Sequence, residues 1–197
     1  MAQRYTQVPR PTLWLVQGGE VVRDGALVEV GSFYIGKATV TNQQYEAYAS
    51  GYPRSPLSPS NDHPAVGVSL ADALGYCEWY SQLSGKRFRL PSEAEWELAC
   101  SGSATTRYFF GDDPAAADPY VWHQANSGGH CQPVESSRAN PVGLHEMLGN
   151  VWQWTASGAL RGGSYRTALA DIGSAVRRLE SPHARLDDVG FRIVRSL

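Results

Sequence analysis

The sequence predicts an α+β protein with two main helices, short β-strands and a loop-rich second half. Residues 11–40 alternate short apolar runs with turn-forming pairs. Two later segments place apolar residues at helical spacing behind side chains that cap helices. Residues 101–145 lack such periodicity and are rich in Gly, Ser, Asp and Pro, whereas an ordinary connection has about five residues. A chain of 197 residues has the size of one domain, predicted to span residues 1–197.

The start of the chain predicts a β-meander, in which successive strands pair in chain order. Turn signals separate three apolar runs: Leu13-Trp-Leu-Val, Ala26-Leu-Val-Glu-Val and Phe33-Tyr-Ile. The pair Asp24-Gly25 is typical of a tight hairpin turn. Beyond these strands, helical spacing from Thr41 predicts a helix that ends at Gly51.

Two longer helices are predicted next, each with a capping box at its start. Ser69 and Asp72 form the first box, and Gly85 marks the end of that helix. Ser92 and Glu95 form the second box. These local signals define the two main helices of the predicted fold.

The second half contains three strand-like segments: Val151-Trp-Gln-Trp, Ala159-Leu-Arg and Val189-Gly-Phe-Arg-Ile-Val. Because strand-like segments stand at both ends of the chain, the N- and C-terminal strands are predicted to pair and close the domain. Arg161 is expected to pair with a buried carboxylate. Asp187 and Asp188 are the candidates for holding Arg161 or Arg192.

Composition excludes several classes of partner. The net charge is −2 and like charges do not cluster, so nucleic acid is not an expected partner. No apolar stretch approaches the roughly 20 residues that cross a bilayer, so membrane insertion is not expected. The N-terminus lacks the apolar core of a signal peptide, which predicts a cytoplasmic location. The three cysteines have neither disulfide nor zinc spacing and are expected to be reduced thiols.

Five strings in order resemble the formylglycine-generating enzyme (sulfatase-modifying factor) family. They are Tyr34-Ile-Gly-Lys-Ala-Thr-Val-Thr-Asn, Arg89-Leu-Pro-Ser-Glu-Ala-Glu-Trp-Glu, Asn140-Pro-Val-Gly-Leu-His-Glu-Met-Leu-Gly-Asn-Val-Trp-Gln-Trp, Leu160-Arg-Gly-Gly-Ser-Tyr and Val189-Gly-Phe-Arg. The resemblance implies a C-type-lectin-like fold with two helices, little regular structure and paired terminal strands. This agrees with the pattern of elements predicted above.

The resemblance does not carry the family's oxidative activity. The aerobic enzyme uses two cysteines after its Arg-Gly-Gly-Ser motif to bind copper, and those positions align with Thr167 and Ile172. Neither side chain supplies the soft sulfur that Cu(I) selects. Copper is therefore not expected, and a non-catalytic role is favoured.

The family's calcium sites map only in part, so structural Ca²⁺ is an open expectation. One site begins at Asn126 and Ser127, but the loop that should supply its carboxylate contains no acid. In the second site an amide replaces the expected carboxylate. Its aligned residues are Glu146, Gly149, Val151 and Gln153. Alternatively, Asn126 and Gln153 satisfy buried backbone groups of the loops.

The segment 165–188 is the predicted ligand-binding surface, because it lies where family members bind a peptide substrate. A protein or peptide ligand is therefore expected. The predicted ligand-binding residues are Tyr165, Arg166, Thr167, Leu169, Asp171, Ile172, Arg178, Leu179, Glu180, His183, Leu186 and Asp187.

The same segment resembles the variable proteins of diversity-generating retroelements, which share this fold. In those proteins, adenine-directed mutagenesis randomises residues here while framework strings stay constant. Most residues from 165 to 173 are ones that such codons can become, whereas Glu180 does not fit that route. An ordinary family C-terminus is the alternative interpretation.

Two further hypotheses stay open. A divergent formylglycine-generating-enzyme-like oxidoreductase or modifying enzyme would use the same groove without the cysteine pair. Its acid and base groups would be Asp171, Glu180, His183 and Asp187, or copper would bind His130 and Cys131. A scaffold or regulatory subunit would instead use Tyr5 and Trp14 as an interface. The sequence predicts no oligomeric state.

Overall fold

The computed structural model describes residues 8–23, 25–102 and 104–197. In this part of the chain two four-stranded sheets and a two-stranded hairpin pack with three α-helices. The strands are β1 (Leu13–Val16), β2 (Gly19–Arg23), β3 (Ala26–Val30), β4 (Phe33–Gly36), β5 (Phe88–Arg89), β6 (Trp152–Trp154), β7 (Ala159–Arg161), β8 (Arg177–Leu179), β9 (Val189–Phe191) and β10 (Val194–Ser196). The helices are α1 (Asn42–Glu46), α2 (Leu70–Ser84) and α3 (Glu93–Ser101). The α+β class is therefore confirmed.

The first sheet has the order β1-β4-β10-β5, so the predicted meander is wrong. β1 pairs antiparallel with β4, with Val16 opposite Phe33, while β2 and β3 form a separate hairpin between them. Turn signals predict where a chain reverses, but not which strands pair. Val16 and Phe33 are both buried, and their pairing places β1 beside β4, the first and last strands of this region.

The closing strand-like segment divides between two sheets. β9 runs parallel to β6 in the second sheet, whose order is β8-β7-β6-β9, whereas β10 pairs antiparallel with β4 in the first. β1 and β10 therefore share a sheet, but they flank β4 rather than pair with each other. The buried residues Arg192 and Ile193 connect the two sheets.

Both main helices begin where the sequence predicts, and α2 also ends at the predicted residue. Ser69 and Ser92 accept hydrogen bonds from the backbone N–H groups of Asp72 and Glu95, and both capping boxes form. Gly85 ends α2 with φ +68°, a left-handed conformation that favours glycine. α1 is shorter than predicted and ends at Glu46.

The end of α1 is explained by aromatic packing. The chain continues from Glu46 as turns that bring Tyr48 and Tyr52 edge-to-face with Tyr45, at 5.6 and 4.8 Å between ring centroids. Tyr45 also stacks on Tyr76 of α2. These aromatic rings and buried residues of the second sheet together form one of the two main cores. The other core lies between the first sheet, the hairpin and α3.

No helix in the described ranges is long and apolar enough to cross a membrane.

A buried ion cluster joins α3 to three strands. Arg161 of β7 lies 2.6 Å from Glu97 and 3.3 Å from Glu93, both on α3. Arg23 of β2 and Arg177 of β8 lie 3.0 and 2.9 Å from the same Glu93 carboxylate. The expected buried carboxylate therefore exists, but it comes from α3.

The two aspartates proposed for this role have other partners. Asp187 pairs with Arg166, and Asp188 accepts a hydrogen bond from the Ser164 hydroxyl. Arg192 has no carboxylate partner among the described residues and donates to main-chain carbonyls and to Gln153. Assigning either arginine to Asp187 or Asp188 was therefore wrong.

We expect Glu93→Gln to lower the free energy of unfolding by about 3 kcal/mol at pH 7, because it removes a buried carboxylate that pairs with three arginines and leaves Glu97 as the partner of Arg161. Burial raises the pKa of Glu93, but the Ser157 hydroxyl and three arginines outweigh it and hold the pKa below 4.5. The stability that the ionised Glu93 carboxylate contributes is therefore present above pH 4.5 and is lost as the pH falls through its folded-state pKa. Urea denaturation of the wild-type and Glu93→Gln proteins from pH 3 to 7 measures the difference in their free energies of unfolding. Glu78→Gln, at an exposed site on α2, is the control. An equally large loss of stability in this variant would contradict the role assigned to Glu93 in the ion cluster.

Candidate functional site

The two ends of the segment 165–188 are held side by side. Arg166 forms an ion pair with Asp187 at 2.8 Å, although the two residues are 21 positions apart. The hydroxyl of Ser164, which precedes the segment, also donates to the carboxylate of Asp188, its last residue, at 2.8 Å. The segment is therefore a closed surface loop that starts and finishes at the second sheet.

The exposed part of the segment combines charged groups with one prominent apolar side chain. Leu179 of β8 is 71% exposed. Its neighbours Arg178 and Glu180 form an ion pair at 2.5 Å, and Arg178 also lies over the Trp152 ring. Of the other predicted residues, Arg166, Asp171 and His183 are exposed, and Thr167, Leu169, Leu186 and Asp187 are partly buried.

Two predicted ligand-binding residues lie in the interior. Ile172 is fully buried in the core beside α3, and a Cβ at Gly163 would lie only 2.7 Å from its side chain. Tyr165 packs with Cys131, Val66 and other buried residues. These two side chains anchor the segment and do not reach its surface.

Arg107 holds the segment from outside, and sequence reasoning did not identify it. Its guanidinium donates to the carbonyls of Ile172, at 3.0 Å, and Ala170. The Gln124 N–H similarly donates to the Thr167 carbonyl. Because these contacts join residues more than 40 positions apart, no local pattern indicates them.

The four candidate acid and base groups of the segment are not linked to one another. No hydrogen bond in the described structure joins any two of Asp171, Glu180, His183 and Asp187. The Ser181 N–H and the Arg178 guanidinium lower the pKa of Glu180, which makes this carboxylate a weaker base. The four residues therefore present ionisable side chains with no hydrogen-bonded acid–base pair among them.

Comparison with known families agrees with this architecture. The sequence matches the family described as sulfatase-modifying factor enzyme 1-like domain over residues 2–197. The chain belongs to this family. Its members include formylglycine-generating enzymes, one of which, from Streptomyces coelicolor, is 32% identical over 177 residues.

Relatives of the chain differ in their reported activity. The Streptomyces coelicolor alignment covers 71% of this chain and 54% of that enzyme. "Inactive C-alpha-formylglycine-generating enzyme 2" of Bos taurus is 34% identical over 166 residues, covering 71% of this chain and 52% of that protein. The chain also matches "Serine/threonine-protein kinase pkn1" of Chlamydia caviae at 33% identity, covering 68% of this chain and 24% of that protein. The chain thus spans from a quarter to about half of these relatives.

Solved structures confirm the C-type-lectin-like fold of the family. Treponema denticola variable protein 1 superposes with a TM-score of 0.86 at 21% identity, covering 94% of this chain and 95% of that one. PvdO from Pseudomonas aeruginosa has a TM-score of 0.83 at 24% identity, covering 95% of both chains. At these identities the likeness concerns the fold.

The positions of the family's copper-binding cysteines hold no thiolate. The Thr167 hydroxyl oxygen accepts a hydrogen bond from the Ser164 N–H at 3.0 Å, and Ile172 belongs to the core. Burial raises the pKa of the Cys131 thiol to about 12, so this sulfur stays protonated. His130 directs Nδ1 to the Cys131 carbonyl rather than to its sulfur. The residues do not fit copper, and no group of three His, Cys, Asp or Glu in the described ranges is arranged to bind a metal.

The first calcium position of the family is occupied by loop hydrogen bonds. The Asn126 side-chain oxygen accepts from the His123 N–H at 2.8 Å, and its amide donates to the Val121 carbonyl. The Ser127 hydroxyl donates to the Tyr165 carbonyl at 3.0 Å. The side-chain groups of Asn126 and Ser127 therefore join loops and do not fit a cation in this arrangement.

At the second position the side chains of Gln153 and Glu146 are engaged in hydrogen bonds within the protein. The Gln153 oxygen accepts from Trp96 and Arg192, and its amide donates to the Glu146 carbonyl. Arg192 is fully buried, and burial lowers its pKa to about 10, so it stays charged at neutral pH. Both Glu146 carboxylate oxygens are occupied by the loop 135–137.

Gly149 and Val151 complete the second predicted calcium set. Gly149 packs so closely on Trp122 that a Cβ would lie 2.3 Å from the Trp122 carbonyl oxygen, and its φ is +77°. Val151 is a buried residue of the Cys131 cluster. Together with Glu146 and Gln153 they form packed, hydrogen-bonded structure that does not fit Ca²⁺.

We expect the melting temperature to differ by less than about 1 °C between 5 mM CaCl₂ and 5 mM EDTA. A bound ion at 100 times its Kd would add about 2.7 kcal/mol of stability. For a chain of this size that corresponds to a rise of more than about 5 °C. Differential scanning calorimetry distinguishes the two results, and such a rise would show that the loops rearrange around calcium.

Proposed function

We propose that this protein is a non-catalytic binding module that holds a protein or peptide ligand on the exposed surface of the segment 165–188. One observation carries the proposal. Polar pairs hold the two ends of the segment together, and the buried side chains of Tyr165 and Ile172 anchor it to the interior. The two positions that align with the copper-binding cysteines of the family are Thr167 and Ile172. The fold therefore retains an ordered surface without the thiols of the family's reaction.

The exposed side chains suit a protein surface as ligand. Leu179 offers apolar area, and Arg178 and Arg166 are held by ion pairs and by the Trp152 and Tyr165 rings. Arginine is among the residue types that contribute most of the affinity at protein interfaces, and burial of Leu179 would add apolar contact area. The Bos taurus relative described as inactive supports a role for this family fold apart from catalysis.

We expect Leu179→Ala and Arg166→Ala each to weaken ligand binding about tenfold or more, because each removes an exposed, oriented side chain. The probe is a set of phage-displayed random 12-residue peptides enriched on the wild-type protein, with affinities measured on the purified peptides. Leu74→Ala, on the exposed side of α2, is the matched control and should bind like the wild type. Circular dichroism establishes that the variants are folded.

Two results would contradict the proposal. One is that all enriched peptides bind equally well to the Leu179 and Arg166 variants. The other is stoichiometric copper in protein purified without chelator, together with oxygen uptake on a cysteine-containing peptide, which would favour the divergent oxidoreductase. Either result assigns another role to this surface.

A diversified surface is the second candidate, and the likeness to Treponema denticola variable protein 1 supports it. The structure separates positions that tolerate variation from positions that do not. Arg166, Asp171 and Leu179 reach the surface, whereas Tyr165 and Ile172 fill the interior, where altered volume destabilises the fold.

We expect deep resequencing of this gene across isolates of its source to show adenine-derived variation at exposed positions of 165–188. Tyr165 and Ile172 should stay apolar, because they pack in the cores. A segment as uniform as the rest of the gene would contradict diversification and leave a fixed binding surface.

A further inference from the structure

A cavity of about 640 Å³ lies along β2. Residues 20–22, 104–107 and 173–176 line it together with Glu97 and Ser101 of α3. A second cavity of about 420 Å³ shares Glu20 and Gly102 with the first and is lined also by residues 15–19. The two cavities therefore follow β2 over its length.

The edge of β2 beside these cavities has no strand partner. Within the described residues β2 pairs with β3 alone. An antiparallel strand directs the N–H and C=O groups of alternate residues to opposite sides, so half of them in β2 point away from β3. No residue of β3 lines either cavity, which places the cavities on the unpaired side. Such an edge is a template for pairing with another chain.

The outer face of the hairpin carries an apolar pair and an acidic pair. Val22 lies opposite Leu27, and they are 73% and 65% exposed. Glu20 lies opposite Glu29, and both are exposed. Like charges directly opposite each other destabilise a strand pair. In the described part of the chain no cation forms an ion pair with either glutamate, so a cation from outside would relieve the repulsion.

We propose that the free edge of β2 binds an extended peptide segment of a partner protein, in which aliphatic residues alternate with lysine or arginine. The segment adds a strand to the hairpin and forms main-chain hydrogen bonds with β2. Its aliphatic side chains lie on the face of Val21 and fill the cavities, and its cations lie on the opposite face, which carries Glu20 and Glu29. Five residues of β2 correspond to about 17 Å of extended partner.

This site uses side chains other than those of the proposed function, although residues 173–176 of the segment 165–188 line the larger cavity. The side chains that carry it are Glu20, Val22, Leu27 and Glu29, none of which belongs to the segment 165–188. Leu179→Ala should therefore leave binding at β2 unchanged, and Glu20→Gln should leave binding at Leu179 unchanged. Failure of one proposal is thus distinguishable from failure of the other.

The test uses a fluorescein-labelled seven-residue peptide of alternating valine and lysine, acetylated and amidated at its ends, with fluorescence anisotropy as readout. We expect saturable binding to the wild-type protein and at least tenfold weaker binding of the same peptide with glutamate in place of lysine. The double variant Glu20→Gln/Glu29→Gln should weaken binding of the lysine peptide about tenfold. Glu78→Gln, which removes one exposed charge from α2, should not change it.

Backbone methylation tests the strand geometry itself. One peptide is methylated on the valine nitrogens and a second on the lysine nitrogens. Strand addition predicts that only one of them loses binding, since alternate N–H groups of an added strand face β2. Equal loss or equal retention would overturn the proposal, as would affinity for the lysine peptide unchanged by Glu20→Gln/Glu29→Gln. A dimer that the lysine peptide fails to dissociate in sedimentation velocity would assign the edge to a second copy and overturn it too.

Discussion

The ion cluster around Arg161 is the interaction on which the rest of the structure depends. Glu93 and Glu97 project from one helix toward arginines of β2, β7 and β8, so a single group of charges joins the hairpin, α3 and the second sheet. Buried charges require partners, because an unpaired one is strongly destabilising. The position of α3 relative to β8 is therefore set by this cluster, and β8 carries the Leu179 surface.

Polar contacts from distant parts of the chain order the segment 165–188. The segment contains one short strand and one turn of 3₁₀ helix, so regular structure alone does not hold it. The pairs Arg166–Asp187 and Ser164–Asp188 close its base, and Arg107 holds the carbonyls of its middle. A surface ordered in this way tolerates changes at exposed side chains that are not among these anchors, such as Leu179. This property suits a binding surface, whether fixed or diversified.

The chain keeps the fold of its family, while Thr167 and Ile172 stand where the aligned cysteines are expected. Gln153 and Arg192 satisfy each other and the surrounding carbonyls at a position where the family holds calcium. Ile172 fills apolar space at a position where the family holds a thiol. Gln153 is thus occupied by hydrogen bonds within the protein, and Ile172 is occupied by packing in the core.

The scaffold hypothesis placed Trp14 and Tyr5 at an interface. Trp14 packs on Gly143 and stays partly exposed, while Tyr5 lies outside the described residues.

The sequence by itself determined what depends on near neighbours along the chain. Both capping boxes join residues three positions apart, so Ser69 and Ser92 predict the main helices correctly. The family strings predict the fold and place Thr167 and Ile172 at the cysteine positions. Only the tertiary structure decided which strands pair, that Glu93 rather than Asp187 faces Arg161, and that Tyr165 and Ile172 are buried. The reason is distance along the chain: Arg161 and Glu93 are 68 residues apart, and packing rather than local pattern brings such residues together.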